Sequence, residues 1–509
     1  MVMLKTLLIL FLVQLESPFQ VGALNILAVF PYEMRSHFSV FRPLLLNLAK
    51  KDHNITVISY YPLEKKLRNY HDVNLNTNNG ALKNTVPFAH FTQSRLEKYL
   101  CSWVLHKFTQ NTCVKALKSP EFLDFLKQNQ QFDVVLIELF ATNCMLEYIP
   151  ANSKIIGLSS CSVLPWLSEY FGLPVNPAIN PTVFMDYNTR MNFFERVENA
   201  LVHIQSQFTY KYFMKVRGPK KEIAEKFMYN ISLILINSHF TMHEARISVP
   251  QMIDVGGLHV SNKKITLPQN IEKWINESSE GVVYFSMGSM LIGHSFPIKK
   301  REMFQRAFSR LKHRVLWKWE NDTMPGKPDN VMTQKWMPQF DILCHPNVKA
   351  FVAHGGLLGM TEAVHCGVPV VVMPQFGDQF TNARALEASG GGVILDFSTI
   401  TEDNVYEALQ KVLNPKFKKQ AEELSARFKD RPMSPMDTAI YWIEYVARHK
   451  GAPHLKTAAV GMPFYQYLLL DVIAFLLVVF LSICLVSYYT LKMLLKCVYP
   501  AKVKKTKTN

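Results

Sequence analysis

The stretch from Trp336 to Asn382, WMPQFDILCHPNVKAFVAHGGLLGMTEAVHCGVPVVVMPQFGDQFTN, decides which fold this chain can adopt. Within it, residues 348–353 form a short apolar run rich in β-branched and aromatic side chains, as in a strand buried in a parallel sheet. The turn His354-Gly355-Gly356 follows, and apolar residues then recur at helical spacing as far as residue 366. Because residues 370–373 are again continuously apolar, the stretch predicts a strand, a helix and a second parallel strand.

The turn between the first strand and the helix is suited to binding a phosphate. The N-terminus of a helix presents unpaired backbone N–H groups and the positive end of the helix dipole. Gly355 and Gly356 have no side chains, so a ligand can approach the backbone closely. His354 adds a side-chain donor at the same place.

Polar and aromatic residues around this turn have the chemistry of a nucleotide-sugar site. Glu362, about two turns into the predicted helix, can accept hydrogen bonds from the two hydroxyls of a ribose. Trp336 lies just before Pro338 and can stack on a flat base. Asp378 and Gln379 follow the second strand, at the edge where open α/β sheets bind ligands. Each residue alone is more often structural, but their order and spacing together favour a nucleotide-activated sugar as ligand.

These motifs resemble the signature of the UDP-glycosyltransferases, the family-one enzymes with the GT-B fold. The resemblance covers nearly the whole chain and includes FSMGS at 285–289 and AIYWIE at 439–444. It implies an α/β protein with two Rossmann-like domains that face each other across a cleft, plus a C-terminal transmembrane helix. The first domain would bind the acceptor, and the second domain the UDP-sugar.

The resemblance also implies a role for each residue of the donor site. It places uracil contacts at Trp336 and Gln339, diphosphate contacts at Ser289, His354, Gly356 and Gly359, a ribose contact at Glu362, and sugar contacts at Asp378 and Gln379. One position departs from the family pattern, because many relatives have Asn where this chain has Leu358. We therefore expect one phosphate contact fewer than in those relatives.

A histidine near the amino terminus is the candidate general base. Residues 24–30 predict the first strand, and His37 follows in the loop after its carboxyl end. The near-neutral pKa of an imidazole suits it to take a proton from a hydroxyl. A histidine without a catalytic role is the more common case for such a pattern alone. The resemblance implies the general base, since the family has it in a Ser-His pair at this point.

An imidazole base needs a partner that fixes its tautomer and stabilises the imidazolium. Residues 132–138 predict a strand that ends in a carboxylate, Glu138. Most relatives have Asp at this point, so the resemblance implies that Glu138 orients His37 with one additional methylene. The longer side chain of Glu138 should still reach the imidazole of His37.

The reaction implied by these parts is a single displacement that inverts the anomeric centre, so that an α-linked donor gives a β-glycoside. We expect no metal and no resident cofactor, because the sequence lacks the D-x-D carboxylate pair of metal-dependent sugar transferases. The runs ELFATNC at 138–144 and LLG at 357–359 look most like the invertebrate branch of the family, whose members typically use UDP-glucose. UDP-glucose is thus the expected donor, and UDP-glucuronate is the alternative.

The acceptor is less determined by the sequence. Residues 158–229 are rich in large apolar side chains, including Phe171, Phe184, Phe193, Phe194 and Tyr212. Such a stripe is more often core than pocket, but the family binds small lipophilic molecules through this region. A hydrophobic alcohol or phenol, as in detoxification, is the expected acceptor. Transfer to a membrane lipid or protein, and a non-catalytic lipophile-binding or sugar-nucleotide-binding protein, are the alternatives.

Length and composition agree with two domains and extra segments at each end. A chain of 509 residues, 49% of them hydrophobic, can support two domains of about 200 residues with sizeable cores. The predicted organisation is a signal peptide at 1–23, an N-terminal acceptor-binding domain at 24–250, a C-terminal UDP-sugar-binding domain at 251–450, a juxtamembrane segment at 451–467, a transmembrane helix at 468–490 and a cytosolic lysine-rich tail at 491–509.

The two ends predict a membrane protein of the endoplasmic reticulum. Residues 1–23 combine Lys5, a short apolar run and a small-residue cleavage site, as a secretory signal does. Residues 468–490 contain Asp471 as their single charge and are long enough to cross a bilayer. The tail has six lysines and no acid, which places it in the cytosol and both domains in the lumen. Lys505 and Lys507 resemble an endoplasmic reticulum retrieval signal, with anchoring to anionic lipid as the alternative.

Other features are compatible with a luminal enzyme. Glycosylation sequons begin at Asn54, Asn230, Asn276 and Asn321. The cysteines outside the predicted span and tail are Cys101, Cys113, Cys144, Cys161, Cys344 and Cys366, and their pairing is left open. The net charge of +16 includes the six tail lysines and is otherwise scattered, so it does not indicate nucleic acid as a partner. Homo-oligomerisation is also left open.

Overall fold

A computed structural model describes residues 21–76, 86–88, 95–140, 143–150, 152–260 and 266–498 of the chain. Most of the predicted signal peptide and of the lysine-rich tail, including Lys505 and Lys507, lies outside the described residues. The chain divides into a large unit that ends at Thr457 and a C-terminal unit that begins at Ala458.

The first half of the large unit is built on a parallel sheet. Its strands are β1 (Asn25–Phe30), β2 (Asn54–Ser59), β3 (Tyr70–Asn74), β4 (Val134–Glu138), β5 (Lys154–Ser159), β6 (Ile231–Ile236) and β7 (Met252–Asp254). Their order across the described sheet is β3-β2-β1-β4-β5-β6-β7. Residues Ile26 to Phe30 and all of β4 and β6 are buried, because helices cover both faces of the sheet.

Helices connect these strands. They are α1 (Arg35–Lys50), α2 (Arg95–Ala116), α3 (Pro120–Lys127), α4 (Phe193–Arg217), α5 (Lys221–Tyr229) and α6 (Phe240–His243), with 3₁₀ turns at Asn143–Tyr148 and Ser168–Phe171. Helix α1 is amphipathic, with Phe38, Phe41, Leu45 and Leu48 buried at spacings of three and four residues. Its apolar side packs on the sheet beside β1 and β2.

The second half contains another parallel sheet. Its strands are β8 (Val282–Ser286), β9 (Arg314–Lys318), β10 (Val331–Gln334), β11 (Val348–Ala353), β12 (Val370–Val372) and β13 (Gly392–Ile394), in the order β10-β9-β8-β11-β12-β13. Its helices are α7 (Gln269–Asn276), α8 (Ile298–Ser309), α9 (Gln339–Leu343), α10 (Leu357–Cys366), α11 (Gln379–Ala388), α12 (Glu402–Leu413), α13 (Pro415–Lys429) and α14 (Pro435–Arg448), with 3₁₀ turns at Gly293–Ser295, Phe397–Thr399 and Pro453–Leu455. The strand-helix-strand unit predicted around His354 is β11, α10 and β12.

Each sheet has one point where the strand order reverses, and these two points determine where ligands can bind. In the first sheet β1 lies beside β4, and in the second sheet β8 lies beside β11. The connections leave these strand pairs in opposite directions, so a crevice opens beyond their carboxyl ends. In the first pair, His37 follows β1 and Glu138 is the last residue of β4. In the second pair, Ser289 follows β8 and His354 directly follows β11.

Side-chain hydrogen bonds and apolar packing connect the two halves of the large unit. The Thr381 hydroxyl oxygen of α11 lies 2.9 Å from the carbonyl oxygens of both Val183 and Met185, and its single proton can be donated to either. Arg384, one turn further along α11, donates to Asp186 at 2.8 Å. Helix α14 packs its buried face on the first sheet and α1, although it comes from the end of the second half. The predicted limit between the two domains, at residues 250 and 251, stays a prediction. Strand β7, at 252–254, pairs with β6 and so extends the first sheet.

Two disulfides are present among the described residues, and their pairing was left open by the sequence. Cys113 of α2 is bonded to Cys144 of the following 3₁₀ turn. Cys344, directly after α9, is bonded to Cys366, the last residue of α10. The second bond fixes the two helices that carry Gln339 and Glu362 relative to each other.

The C-terminal unit contains a short helix, α15 (Phe464–Tyr467), and a long one, α16 (Leu470–Val498). Helix α16 has 29 residues, and its most apolar window has a mean hydropathy of 2.8, so it is long and apolar enough to cross a membrane. It begins close to the start of the predicted span at 468–490 and continues beyond its end.

Candidate active site

A cavity of about 570 Å³ lies at the two reversal points and is lined by both halves of the large unit. The predicted site residues that line it are His37, Ser289, Trp336, Gln339, His354, Gly356, Gly359, Glu362, Asp378 and Gln379. Glu138 is buried next to His37. Fold topology therefore brings together residues that are up to about 340 positions apart in the sequence.

His37 and Glu138 form a close pair at the first reversal point. Nδ1 of His37 is 2.6 Å from Oε1 of Glu138, so the additional methylene of Glu138 does reach the ring. The Glu138 side chain is 1% exposed, and that of His37 is 17% exposed. His37 is the third residue of α1 and not part of a loop, because the helix begins at Arg35 directly after the first turn. Phe140 packs edge-on against the imidazole at 4.6 Å and further restricts its orientation.

Ser160 is a contact of the candidate base that the sequence did not predict. Its hydroxyl oxygen lies 2.7 Å from Nδ1 of His37, on the same nitrogen that meets Glu138. Ser160 directly follows β5, the neighbour of β4, and its carbonyl accepts from the Asn237 side chain at 2.9 Å. The serine is recognisable only when the strand order is known, because nothing near it in the sequence marks it.

Charges around His37 favour its protonated form. Burial lowers the pKa of the imidazole, but the charge and hydrogen bond of Glu138 and the charge of Asp378 together raise the pKa above its usual value of 6.5. Asp378 belongs to the second half of the unit. Burial raises the pKa of the Asp378 carboxyl, while the hydrogen bond from Asn382 and the nearby His37 act in the opposite direction. The candidate base and the candidate sugar-binding carboxylate thus interact electrostatically across the cavity.

His354 is held between two glycines. A Cβ on Gly288 would lie 2.5 Å from the Cε1 of the ring, and a Cβ on Gly356 would lie 2.5 Å from Nε2. Gly288 also has a φ of +80°, which disfavours other residues there. Burial and the charge of Lys318 lower the pKa of His354 to about 4, so the imidazole is neutral at pH 7. A neutral imidazole keeps one N–H to donate to a ligand.

Gln339 and Glu362 contact each other at the other end of the cavity. Nε2 of Gln339 donates to Oε2 of Glu362 at 2.7 Å. Burial raises the pKa of Glu362 to about 7, against the effect of this hydrogen bond and with a smaller contribution from Asp341. Trp336 is 50% exposed, and the Arg35 guanidinium lies 5.6 Å from the centre of its ring. An indole ring at the rim of a cavity has the flat apolar surface on which a planar ligand can stack.

Gln379, Ser289 and Leu358 also line the side of the cavity that the sequence predicts to bind the donor. Oε1 of Gln379 accepts from the backbone N–H groups of Gln375 and Phe376 at 2.9 and 3.3 Å, so its amide nitrogen is the group left to serve a ligand. Ser289 lines the cavity after β8. Leu358, where many relatives have Asn, is in the first turn of α10, and its side chain packs against the apolar cluster of the first sheet and α14.

The remaining wall of the cavity is apolar and comes from the first half of the unit. It is formed by Leu105, Phe140, Cys161, Leu164, Val183 and Phe184. Of the aromatic residues between 158 and 229 that the sequence analysis named, Phe184 lines this wall and Phe171 belongs to the core. Phe193, Phe194 and Tyr212 do neither, because all three are exposed.

Comparisons with known proteins identify the family. Residues 27–508 match the family model described as UDP-glucoronosyl and UDP-glucosyl transferase. UDP-glycosyltransferase UGT5 of Dactylopius coccus is 44% identical over 495 residues, which cover 93% of this chain and 92% of that protein. This chain belongs to the UDP-glycosyltransferase family. UDP-glucosyltransferase 2 of the same insect is 36% identical over 92% of this chain and 93% of its own length. The mouse UDP-glucuronosyltransferase 1A9 is 34% identical over 75% and 73%.

Solved structures confirm the fold of this UDP-glycosyltransferase. The glycotransferase of kitacinnamycin matches with a TM-score of 0.55 at 16% identity, over 84% of this chain and 99% of that one. Os79 from O. sativa in complex with UDP matches with a TM-score of 0.54 at 15% identity, over 83% and 100%. The predicted GT-B architecture of two Rossmann-like parts is therefore confirmed. In the part of the chain that the structure describes, no group of three or more His, Cys, Asp or Glu residues is arranged to hold a metal ion.

Proposed function

We propose that this UDP-glycosyltransferase transfers glucose from UDP-glucose to a hydroxyl of a small lipophilic acceptor, with inversion and with His37 as the general base. The observation that carries the proposal is the pair of His37 and Glu138 at 2.6 Å, beside Asp378 in the shared cavity. With Nδ1 donating to Glu138, the lone pair of Nε2 remains to take a proton.

In the proposed reaction, the acceptor oxygen attacks the anomeric carbon while Nε2 of His37 removes its proton. The new bond forms between the acceptor oxygen and that carbon, and the bond from the carbon to the UDP oxygen breaks. UDP leaves with the electron pair, and its negative charge develops near the N-terminus of α10 and the N–H of His354. Glu138 stabilises the imidazolium. The partial positive charge at the N-terminus of α10 and the N–H of the neutral His354 would stabilise the leaving diphosphate, so we propose that no resident metal or cofactor takes part.

Charge in the cavity supports glucose over glucuronate. The described cationic side chains that line it, apart from histidines, are Arg35, beside Trp336, and Lys318, which is bound to Glu320 at 2.7 Å. A uronate carboxylate at the sugar position would instead face Asp378. An insect relative is also named a UDP-glucosyltransferase, whereas the mammalian relatives are named glucuronosyltransferases. The apolar wall of the cavity favours a lipophilic acceptor.

A donor-by-acceptor screen tests the proposal. Membranes that contain the full chain are supplied with UDP-glucose or UDP-glucuronate and a simple phenol, with the His37→Ala variant as the matched control. We expect a β-glucoside from UDP-glucose and a rate at least about ten times lower with UDP-glucuronate, because a like charge opposes the second donor. Preference for UDP-glucuronate would refute the assignment of glucose. An α-glycoside would refute the single displacement, and turnover unaffected by the control substitution would refute the base.

We also propose that α16 anchors the enzyme in the endoplasmic reticulum membrane with the globular unit in the lumen. The supporting features are the length and apolar composition of α16, and Lys492 and Lys496 near its carboxyl end. In sealed microsomes, added protease should leave the globular unit intact unless detergent is present. Digestion without detergent would show the opposite orientation.

A further inference from the structure

Helices α2 and α4 expose apolar side chains where a soluble helix is polar. On α4 the exposed series Phe193, Val197, Leu201, Ile204 and Phe208 continues through Tyr212 and Val216, so that an apolar residue recurs every three or four positions. Phe194 beside it is 79% exposed. Such spacing gives one continuous stripe along a helix, here of 25 residues or about 37 Å.

Helix α2 has a matching stripe. Its exposed apolar residues are Leu96, Leu100, Trp103, Val104, Phe108 and Val114, again on one side of the helix. The two stripes join, because the rings of Trp103 and Tyr212 stack at 5.2 Å. Exposed apolar surface of this extent on a folded protein marks an interaction site. Together, these residues of α2 and α4 form the apolar face.

Charge on the apolar face indicates what it contacts. The charged side chains exposed on α2 and α4, among those the structure describes, are Lys107, Lys115, Lys211 and Lys215, and no exposed acid accompanies them on either helix. Lys211 is bound to Glu169 at 2.8 Å, so the net positive charge comes from the other three. A second copy of the chain on this face would bring lysines toward lysines, whereas anionic lipid headgroups would neutralise them.

We propose that the apolar face lies in the surface of a lipid bilayer, with its aromatic and aliphatic side chains among the acyl chains and its lysines at anionic headgroups. The proposal rests on the proposed membrane anchoring, because a chain held by α16 keeps its globular unit within reach of a bilayer. Trp103 and Tyr212 are residue types that favour the boundary between water and hydrocarbon. Amphipathic helices with lysines and large apolar side chains bind to membranes in this manner.

The apolar face is also next to the acceptor side of the cavity. Leu105 of α2 lines the cavity, and helical geometry places it on the opposite side of the helix from the exposed Leu96 and Trp103. Helix α2 therefore separates the acceptor wall from the apolar face. An acceptor dissolved in the bilayer would be concentrated one helix away from the site where it reacts.

Lipid photolabelling of the full chain tests this proposal. The enzyme is reconstituted in vesicles of phosphatidylcholine, with or without phosphatidylserine, that contain a phosphatidylcholine with a photoactivatable acyl chain. Peptides from α2 and α4 are compared with those from α8, where Ile298 is 63% exposed without a surrounding stripe, and with α16 as internal reference. We expect labelling of α2 and α4 at least about five times that of α8, increased by phosphatidylserine.

Charged substitutions provide the matched comparison. Leu201→Glu with Phe208→Glu, at positions 60% and 70% exposed, should lower the labelling of α2 and α4 about five-fold, and Ile298→Glu should not change it. If that double variant does not fold, Lys107→Gln, Lys115→Gln and Lys215→Gln together should remove the effect of phosphatidylserine. Turnover of a water-soluble phenol reports on folding and on the proposed transfer reaction.

The outcomes separate this proposal from the proposed function. Labelling of α2 and α4 no higher than that of α8 would overturn the bilayer contact while transfer to the soluble phenol still stands. Labelling as expected in an enzyme that transfers no sugar would leave the bilayer contact and overturn the reaction. Cross-links between Lys107 or Lys215 of two copies, with no lipid attached to α2 or α4, would show that a second copy covers the apolar face and would overturn the proposal.

Discussion

Replacing Glu138 with glutamine tests the proposed relation between Glu138 and His37 without changing the shape of the site. Glutamine keeps the size of the side chain but removes the charge that faces Nδ1 at 2.6 Å. An amide nitrogen there, or the Ser160 hydroxyl at 2.7 Å, can donate to Nδ1 and shift the proton of the ring to Nε2. His37 would then hold a proton at the atom that must accept one.

The expected loss follows from this change of tautomer. We expect kcat to fall about 10³- to 10⁴-fold, or about 4 to 5 kcal/mol of transition-state stabilisation. Glu138→Asp is the control, because it keeps the charge but withdraws it by about 1.5 Å, to about 4 Å from Nδ1. The kcat of Glu138→Asp should fall less, by about ten-fold.

Initial rates of glucoside formation and UDP affinity are measured for each variant across pH. A general base is active only above its pKa, and Glu138 raises the pKa of His37. Without the Glu138 charge, burial lowers that pKa, so the acid limb of kcat/KM for Glu138→Gln should move to lower pH while UDP affinity stays the same. A kcat within ten-fold of the original enzyme, or an acid limb at the same pH, would refute the proposed orientation of the base.

Other substitutions test the remaining contacts. Trp336→Ala should raise the KM for UDP-glucose about ten-fold or more and leave the acceptor KM nearly unchanged, since base stacking is worth about 1 to 3 kcal/mol; equal effects on both KM values would argue against stacking. Glu362, with a pKa of about 7, accepts from ribose hydroxyls more strongly when ionised, so the KM for the donor should rise as pH falls below 7 in the original enzyme but not in Glu362→Gln. Ser160→Ala should lower kcat about three- to ten-fold, shift the pH profile and spare both KM values if Ser160 positions His37; restored kcat in Ser160→Thr would support this role.

The grouping of most candidate donor-binding residues around one cavity was predictable because they are close together in the sequence. The strand predicted at 348–353 is β11, and the turn at His354 opens α10 as expected. Gly356 in that turn packs against the His354 ring, which leaves no room for a Cβ there or at Gly288 after β8. Local spacing is sufficient where a strand, a turn and a helix together make the site.

Long-range contacts were not predictable from spacing. Ser160 meets His37 because β5 lies beside β4, and no local pattern in the sequence encodes the order of strands. The pairing of Glu138 with His37 was expected from family resemblance and not from spacing. Burial sets the pKa of Glu362 near 7, which becomes evident only when its surroundings are known.

The aromatic residues of α4 show where composition misleads. Phe193, Phe194 and Tyr212 belong to a segment as apolar as a core, and the sequence favours the core for such residues. In the structure they are exposed, and the charged side chains that the structure describes as exposed on α2 and α4 are lysines. A stripe at helical spacing shows that one side of a helix avoids water, but not whether protein or lipid covers it.

We propose that an imidazole from one half of the enzyme acts on a hexose bound by the other half. The most direct test measures UDP affinity by calorimetry and glucose transfer by product formation for the same purified His37→Ala enzyme. We predict UDP affinity within about two-fold of the original enzyme, because the proposed UDP contacts belong to the other half, and a kcat at least about 10³-fold lower. Unchanged transfer, or loss of UDP affinity together with transfer, would contradict the claim.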